Sequence, residues 1–501
     1  MNWLEGINFT TSLVVLIILA IPISIGIFLY FYDRSQKQHA ILRNYPILGR
    51  VRYMFEKAGP EVRQYLFNGD NSGKPFSREE YLHMVMPGKY LNSVIGFGSK
   101  RDFQEPGHYI RNAMFTKQNE EMRVDNDNLL STMRYEVDTD NLFSRKEHRE
   151  EVTTWPWLLP EEDAIVLGSN CEHPFVVRSL LGQSGMSYGA LGDHAITALS
   201  KGIGMAKGAW MNTGEGGVSD HHLIGVADII AQIGSGLFGF RTEDGQFDIE
   251  KVKEKAQIPQ IKAFEIKLAQ GAKMRGGHVE GEKVTEEIAA IRNVKPYTSI
   301  NSPNRFKQFH DYPTLFSFIE DIRHAGGKPV GIKIVIGGKQ DAEDGAEGGS
   351  GATYQDLADS VGLPLRSSLI LLDDALRKFE VRDRVKVIAS GKIITPDKAA
   401  IALALGADLI QVARGFMISV GCIMAERCHT NTCPAGVATT DKSLQRALVV
   451  EEKKFRVTNY ILTMREGLFR VAAAAGLDSP TKFERHHVIY KDERGNIHSI
   501  E

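Results

Sequence analysis

Three cysteines lie close together near the C-terminal end of the chain, and their spacing could hold an inorganic centre. Cys422, Cys428 and Cys433 have five residues between the first pair and four between the second. Three thiolates suit an iron–sulfur cluster with one corner missing. The alternative is a zinc site with His429 as a fourth ligand, although ligands this close in sequence make a tetrahedral arrangement awkward.

The composition is that of an ordinary globular protein with a full core. Hydrophobic residues make up 43% of the 501 residues, and 60 Lys and Arg nearly balance 62 Asp and Glu. This balance gives no reason to expect a nucleic-acid partner. Four cysteines, three of them clustered, argue against a secreted disulfide scaffold. We expect the fourth, Cys171, to be a buried structural thiol.

A membrane anchor is predicted over residues 1–33. Its span at about 13–32 contains no charge and, at about 1.5 Å per residue, would cross a hydrocarbon core of about 30 Å. Five basic residues follow between positions 34 and 52, whereas only Glu5 is charged before the span. The positive-inside rule therefore predicts a single-pass membrane protein with the bulk of the chain in the cytoplasm.

The rest of the chain divides by pattern into three parts. Residues 34–160 are polar and mostly without periodicity, and we predict a cap region there. Over residues 161–445, apolar strands alternate with helical patterns, which predicts an α/β fold, a (β/α)8 TIM-type barrel with its active site at the carboxyl ends of the strands. Residues 446–501 are predicted to form a C-terminal helical tail.

Only seven strands can be found in the predicted barrel, whereas a closed barrel of this type needs eight. They are predicted at Phe175–Leu181, Ala209–Thr213, Leu237–Arg241, Ala263–Ala269, Val330–Ile336, Val385–Ala389 and Asp408–Val412. The shortfall lies between Ile336 and Val385, where no strand leads into the glycine-rich stretch Gly345–Gly351. Either one strand is cryptic or the barrel lacks one βα unit.

Several short motifs of this region resemble the FMN-binding synthase domain of glutamate synthase, most closely the short, membrane-anchored bacterial members of that family. The motifs are GMSYGALG at 185–192, MNTGEGG at 211–217, IKLAQGAK at 266–273, GAEGGSGAT at 345–353, ASGK at 389–392 and ARGFM at 413–417. Together with the segment Cys422–Ala438, which we call the cysteine loop, these motifs occur in family order. The resemblance covers about residue 34 to the end. One glycine-rich motif is weak support, whereas the ordered set is specific.

The resemblance implies a barrel that holds FMN at its strand ends, beside a [3Fe–4S] cluster on Cys422, Cys428 and Cys433. The family reduces the imine formed from two small molecules, 2-oxoglutarate and ammonia, to L-glutamate. No dinucleotide-binding GxGxxG motif follows a strand. Electrons are therefore expected from a redox partner protein or a membrane electron carrier.

The resemblance also implies roles for individual residues. Lys267 would supply the cation near the reduced flavin, and Glu215 would handle protons or contact the nitrogen donor. Lys273, Arg275 and His278 could clamp the two carboxylates of a 2-oxo acid. The expected FMN contacts are Met186, Ser187, Gly189, Asn212, Lys267, Gly348, Gly349, Gly351, Ser390, Gly391, Ala413, Arg414 and Gly415. Tight turns and solvated loop charges are the alternative interpretation of these residues.

Two departures from the family pattern affect this prediction. Full-length members begin with a glutaminase domain that uses an N-terminal cysteine, whereas the first cysteine here is Cys171, so nitrogen is expected from free ammonia or a partner. Relatives also carry a helix and a strand where only Gly338–Asp344 stands here, a deficit on the order of 25–30 residues. We therefore predict a gapped or rearranged barrel with weakened FMN binding.

Two other functions stay open at this point. An FMN-dependent 2-hydroxy-acid oxidase would have the barrel but gives no reason for the three clustered cysteines. An electron-relay homologue that has lost catalysis would keep both cofactors, and the missing barrel unit favours it.

Overall fold

The computed structural model describes residues 2–269, 277–338 and 355–500, and the chain divides into two compact units, Met1–Arg78 and Glu79–Glu501. The first unit is helical, with helices Asn2–Ser35, Ala40–Asn44, Leu48–Val62 and Arg63–Phe67. In its first helix, the stretch Leu13–Ser35 has a mean hydropathy of 2.8. This stretch is long and apolar enough to cross a membrane.

The second unit contains a curled sheet of seven parallel strands. In chain order these are β1 (Leu181–Gln183), β2 (Trp210–Asn212), β3 (Asp228–Ile233), β4 (Ile261–Lys267), β5 (Val330–Lys333), β6 (Ile388–Ser390) and β7 (Leu409–Val412). Across the sheet the order is β5, β4, β3, β2, β1, β7, β6. This α/β half-barrel is consistent with the predicted TIM-type fold, and within the described residues it has the seven strands that the sequence predicted. Within the described residues, β5 and β6 are the two edges and do not pair with each other.

Helices follow the strands and cover the sheet. They are Asp193–Ala206, Asp220–Leu223, Ile249–Ala256, Glu286–Arg292, Tyr312–Gly326, Gln355–Ser360, Leu365–Lys378, Pro396–Ala404 and Arg414–Ser419. The helix Pro396–Ala404 begins after Thr395, with proline at its first position. The strand β7 follows this helix directly, so the helix returns the chain to the amino end of the next strand.

The third predicted strand is wrong. Residues Leu237–Arg241 form a turn, with Leu237 at φ 54° and Gly239 at φ 81°, and the strand lies earlier, at β3. Phe238 and Phe240 are buried in this turn, so the apolar pattern there reflects loop packing and not a strand.

The first predicted strand is two strands. Phe175–Val177 pairs antiparallel with Ile165–Leu167, and β1 begins only at Leu181. The polar pair Arg178 and Ser179 separates the two, because neither side chain continues the apolar run.

The segments on either side of the sheet contain structure that periodicity did not reveal. A long antiparallel hairpin, Leu130–Asn141 with Ser144–Thr154, lies in the segment expected to be irregular. The predicted helical tail contains the helix Val450–Ala474, but also strands that pair with the cap. Other elements are the helices Arg78–Tyr90 and Lys442–Gln445, and a sheet of Gly107–Ile110, Val488–Lys491 and Ile497–Ser499.

Candidate functional site

A polar side chain stands within two residues of the carboxyl end of every barrel strand. These are Gln183 (β1), Asn212 (β2), Gln232 (β3), Glu265 and Lys267 (β4), Lys333 (β5), Ser390 (β6) and Gln411 (β7). All except Ser390 are at most 9% exposed. Because buried polar groups are costly unless they are satisfied, we call these eight residues the polar ring and take it as the candidate site.

Glu265 organises one side of the polar ring. Its Oε1 accepts hydrogen bonds from Nδ2 of Asn212 at 2.9 Å and from Nε2 of Gln232 at 2.5 Å. Oδ1 of Asn212 in turn accepts from the backbone N–H of Gly214 at 3.0 Å. The predicted cofactor residue Asn212 is therefore held by Glu265, which lies outside the sequence motifs, and by Gly214, which lies within the motif MNTGEGG.

Lys267 and Glu215, the two predicted catalytic residues, form an ion pair. The distance from Nζ of Lys267 to Oε1 of Glu215 is 3.2 Å, and the two side chains are 8% and 18% exposed. A second buried lysine, Lys333, is the register partner of Lys267 across β4 and β5 and donates to Oγ of Ser184 at 3.3 Å. The site thus places two ammonium groups on neighbouring strands, which suits an anionic ligand.

Two buried atoms of the polar ring have no hydrogen-bond partner within the described residues. They are the acceptor Oε1 of Gln183 and the donor Nε2 of Gln411. Buried polar atoms are normally satisfied, so an unsatisfied acceptor and an unsatisfied donor here fit a ligand with both kinds of group.

The loop of the motif GMSYGALG is fixed by buried groups from other elements. His222 donates from Nε2 to the carbonyl oxygen of Met186 at 3.1 Å, while its Nδ1 lies 2.7 Å from Oγ of Ser219. Burial lowers the pKa of His222 to about 4, so this imidazole is neutral near pH 7. Nη2 of Arg292 donates to the carbonyl of Tyr188 at 2.8 Å, next to the predicted residues Ser187 and Gly189. Neither His222 nor Arg292 belongs to a motif that the sequence analysis identified.

Gly214 brings the β2 loop against the GMSYGALG loop. Its φ is 64°, and a Cβ would lie 2.7 Å from the backbone nitrogen of Ser187. Gly214→Ala is expected to lower the free energy of unfolding by about 2–3 kcal/mol, because it adds a clash with backbone to the strain of a left-handed residue. The measurement is urea unfolding, with flavin content recorded on the purified protein.

Gly245→Ala is the matched control for Gly214→Ala. Gly245 has φ 84°, but the nearest atom to its Cβ would be Nη1 of Arg241 at 3.9 Å. The control should cost only the left-handed strain, about 1–2 kcal/mol, and leave the flavin content unchanged. Equal losses of unfolding free energy in the two variants would show that the close approach of Gly214 to the backbone of Ser187 does not matter for stability.

The predicted phosphate-side residues lie at the ends of β6 and β7. Ser390 ends β6 in register with Gln411, and Ala413 and Arg414 lead into the helix after β7. Gly415 has a reason of its own to be glycine, because a Cβ there would collide with the hydroxyl of Tyr460. The predicted residue Gly391, at φ 153°, directly follows Ser390.

The predicted carboxylate clamp is only partly described. Of its members, Lys273 and Arg275 lie outside the described residues, as do the predicted glycines Gly348, Gly349 and Gly351. His278 is described: its Nδ1 lies 2.7 Å from Oδ1 of Asn301, and its Nε2 lies 3.0 Å from Glu280. The hydrogen bond with Asn301 and the charge of Glu280 raise the pKa of His278. No described contact joins it to the polar ring.

The three clustered cysteines share one loop. Cys433 is buried, and Cys422 and Cys428 are of intermediate exposure. Burial raises the pKa of Cys422 to about 12, and the two other cysteines also act to raise it. Within the described residues, no group of three or more His, Cys, Asp or Glu side chains is arranged as a metal site.

The backbone of the cysteine loop is unusual. Met424, Glu426 and Asn431 all have left-handed φ values, of 58°, 54° and 60°. Such conformations are uncommon for residues other than glycine and tend to cluster at functional sites. The loop conformation is therefore imposed by its surroundings and not by local preference.

The chain is similar to known proteins over most of its length. The family described as "Conserved region in glutamate synthase" matches residues 118–478. The chain is 55% identical to the glutamate synthase large subunit-like protein YerD of Bacillus subtilis, over 97% of this chain and 96% of that one. It is 32% identical to the archaeal glutamate synthase (NADPH) of Methanocaldococcus jannaschii, over 59% of this chain and 58% of that one.

Solved structures give a weaker comparison. The flavin-binding domain of baker's yeast flavocytochrome b2 matches with a TM-score of 0.40 and 11% identity, over 83% of this chain and 79% of that one. These values are too low to indicate a shared activity. The matched region 118–478 contains the polar ring, the ion pair and the cysteine loop, so the chain belongs to the glutamate synthase family.

Proposed function

We propose that this protein is an FMN-dependent oxidoreductase that aminates 2-oxoglutarate reductively to L-glutamate. The observation that carries the proposal is the buried pair of Lys267 and Glu215 within the polar ring, in a chain of the glutamate synthase family. The balanced reaction joins 2-oxoglutarate and ammonium, consumes two electrons and two protons, and releases water.

FMN fits the polar ring. Its ring edge offers donors and acceptors that match the unsatisfied Oε1 of Gln183 and Nε2 of Gln411. Lys267 and Lys333 would hold the anionic groups of cofactor and substrate, and the loops after β6 and β7 would hold the phosphate. When bound, FMN supplies the hydride that reduces the imine carbon.

Glu215 is suited to move the protons of the reaction. Its carboxylate lies 3.2 Å from the ammonium of Lys267, and it would accept a proton as ammonia attacks the 2-oxo carbon. Arg292 adds a second positive charge nearby: burial lowers its pKa to about 10, and the charge of Glu215 acts in the opposite direction. The same carboxyl group would then give this proton to the hydroxyl group of the adduct, which leaves as water.

A [3Fe–4S] cluster on Cys422, Cys428 and Cys433 completes the proposal. The support is the donor chemistry: three cysteines within one loop offer the three thiolates that a cluster with one open corner takes. Such a cluster would pass electrons, one at a time, from a redox partner protein or a membrane carrier to the flavin.

The apolar helix stretch Leu13–Ser35 supports a membrane anchor in this proposal. The basic residues after it would keep the barrel on the cytoplasmic side. A membrane electron carrier could then reach the protein without leaving the membrane.

An electron-relay protein without amination is the second candidate. Among the residues that the structure describes, β5 and β6 are unpaired edges, which favours this candidate because a gapped sheet positions the polar ring less firmly. The predicted weakness of FMN binding would have the same cause.

One anaerobic experiment tests both candidates. Full-length protein in mild detergent is analysed for FMN and iron, then assayed for glutamate from 2-oxoglutarate and ammonium with reduced methyl viologen. Glutamate formation supports the amination, and flavin with iron but no glutamate supports the relay. Protein that takes up neither cofactor contradicts both, whereas one FMN per chain with absorbance near 450 nm would contradict weakened flavin binding.

A further inference from the structure

Lys283 is a buried lysine that joins two loops of the candidate site. It is 4% exposed and ends the short turn Gly281–Lys283. Its Nζ donates to the carbonyl oxygens of Ala190 at 3.2 Å, Cys428 at 3.0 Å and Ala438 at 3.2 Å. An ammonium group has three donors, so these three acceptors satisfy it completely.

The three carbonyls come from the two loops that the proposed function assigns to different cofactors. Ala190 belongs to the GMSYGALG loop at 185–192, which we call the flavin loop, whereas Cys428 and Ala438 belong to the cysteine loop. One side chain therefore fixes the cysteine loop against the flavin loop. Electron transfer depends on the distance between two centres, so this connection bears directly on the reaction.

The positive charge of Lys283 faces the cysteines. Its Nζ lies 3.0 Å from the carbonyl oxygen of Cys428, so the ammonium lies beside one of the three cysteines. A neutral donor could bind three carbonyls with a smaller desolvation cost than a buried ammonium. The use of a charged group is explained if the loop carries negative charge, as three cluster-bound thiolates would.

We propose that Lys283 is a positioning residue that holds the cysteine loop on the flavin loop and raises the reduction potential of the iron–sulfur centre. This inference rests on the proposed function, because the second effect requires a cluster on the three cysteines. A fixed positive charge favours the reduced, more negative form of the cluster, so the potential falls when the charge is removed.

The test compares Lys283→Met and Lys283→Gln with a matched buried lysine. Lys328 is 7% exposed and its Nζ donates to the carbonyls of Ala256 and Ile261 at 2.5 and 2.6 Å, at the amino end of β4. Lys328→Met also removes a buried ammonium from carbonyls, but outside the candidate site. Lys283→Gln keeps hydrogen-bond donors without the charge and serves if Lys283→Met does not fold.

The first measurement is the midpoint potential of the cluster in full-length protein, followed by electron paramagnetic resonance during redox titration. Both Lys283 variants are expected to shift the reduction equilibrium about tenfold toward the oxidised form, about 59 mV for one electron. Lys328→Met should leave the potential unchanged. Unchanged potentials in the Lys283 variants, or equal shifts in all three proteins, would overturn the electrostatic role.

The second measurement needs no cluster. In metal-free protein, the alkylation rates of Cys428 and Cys433 are followed by peptide mass spectrometry. Lys283→Met should speed both reactions severalfold over wild type and over Lys328→Met, because the loop is released; equal rates would overturn the positioning role. Wild-type protein without iron would contradict the proposed cluster instead, and the alkylation result would still decide the positioning.

Discussion

Replacement of Lys267 with methionine is expected to reduce glutamate formation by about 10²–10³-fold. Lys267 is buried at the carboxyl end of β4 and paired with Glu215 at 3.2 Å. Methionine preserves the length and apolar body of the side chain but removes the positive charge. The variant therefore leaves the carboxylate of Glu215 without this ammonium and removes one of two cations that could stabilise negative charge on the cofactor or substrate.

The effect of Lys267→Met should appear mainly in kcat, because the charge acts on groups that become negative during the reaction. The assay measures glutamate from 2-oxoglutarate and ammonium with an artificial reductant, together with FMN content and thermal unfolding. Lys328→Met is the control, since it removes a buried lysine from the amino end of the same strand. A flavin-loaded Lys267→Met protein with kcat within about threefold of wild type would exclude this role.

The barrel class and much of the candidate site follow from sequence because their signals are local. Alternation of strand and helix predicted the α/β sheet, and the strand count of seven was right although one strand was misplaced. Lys267 is predicted from the motif IKLAQGAK, and the structure brings it to Glu215, fifty-two residues away. Residues that belong to a short motif are predictable from that motif.

Other parts of the site could not be identified in the same way. Glu265, Gln232 and Lys333 lie outside glycine-rich motifs, yet each is a buried polar residue in an apolar strand. That interruption was a usable signal, since a strand rarely buries such a group without a partner. Lys283 and His222 gave no local signal, because their partners are far away in sequence and only the fold brings them together.

A residue important for stability can also be invisible to local sequence patterns, as Arg465 in the long helix Val450–Ala474 shows. Arg465 is 3% exposed, and its guanidinium donates to Oγ of Ser179 at 3.0 Å and to the carbonyls of Pro156 and Ala206 at 3.0 and 2.8 Å. It also donates to the carbonyl of Lys207 at 2.5 Å. These acceptors precede β1 and β2, so Arg465 lies at the amino end of the sheet, the face associated with stability.

Replacement of Arg465 with methionine is expected to lower the free energy of unfolding by about 3 kcal/mol. Hydrogen bonds to a charged donor contribute more to stability than neutral ones, and their loss leaves buried carbonyl groups unsatisfied. The variant also no longer has to desolvate a charge on folding, and this offsets part of the loss. Arg470→Met is the control, because Arg470 lies on the same helix and pairs with Glu466 at the surface at 2.7 Å. That exposed pair should contribute less than about 1 kcal/mol.

Urea unfolding of the full-length protein in mild detergent, followed by tryptophan fluorescence, measures both variants. The loss in Arg465→Met should come from a lower midpoint at an unchanged slope, because the native contacts weaken while the surface exposed on unfolding stays the same. A loss in Arg465→Met no larger than that in Arg470→Met would show that the guanidinium contributes no net stability. The desolvation of the buried charge would then offset its four hydrogen bonds, and the barrel base would depend on apolar packing along the helix.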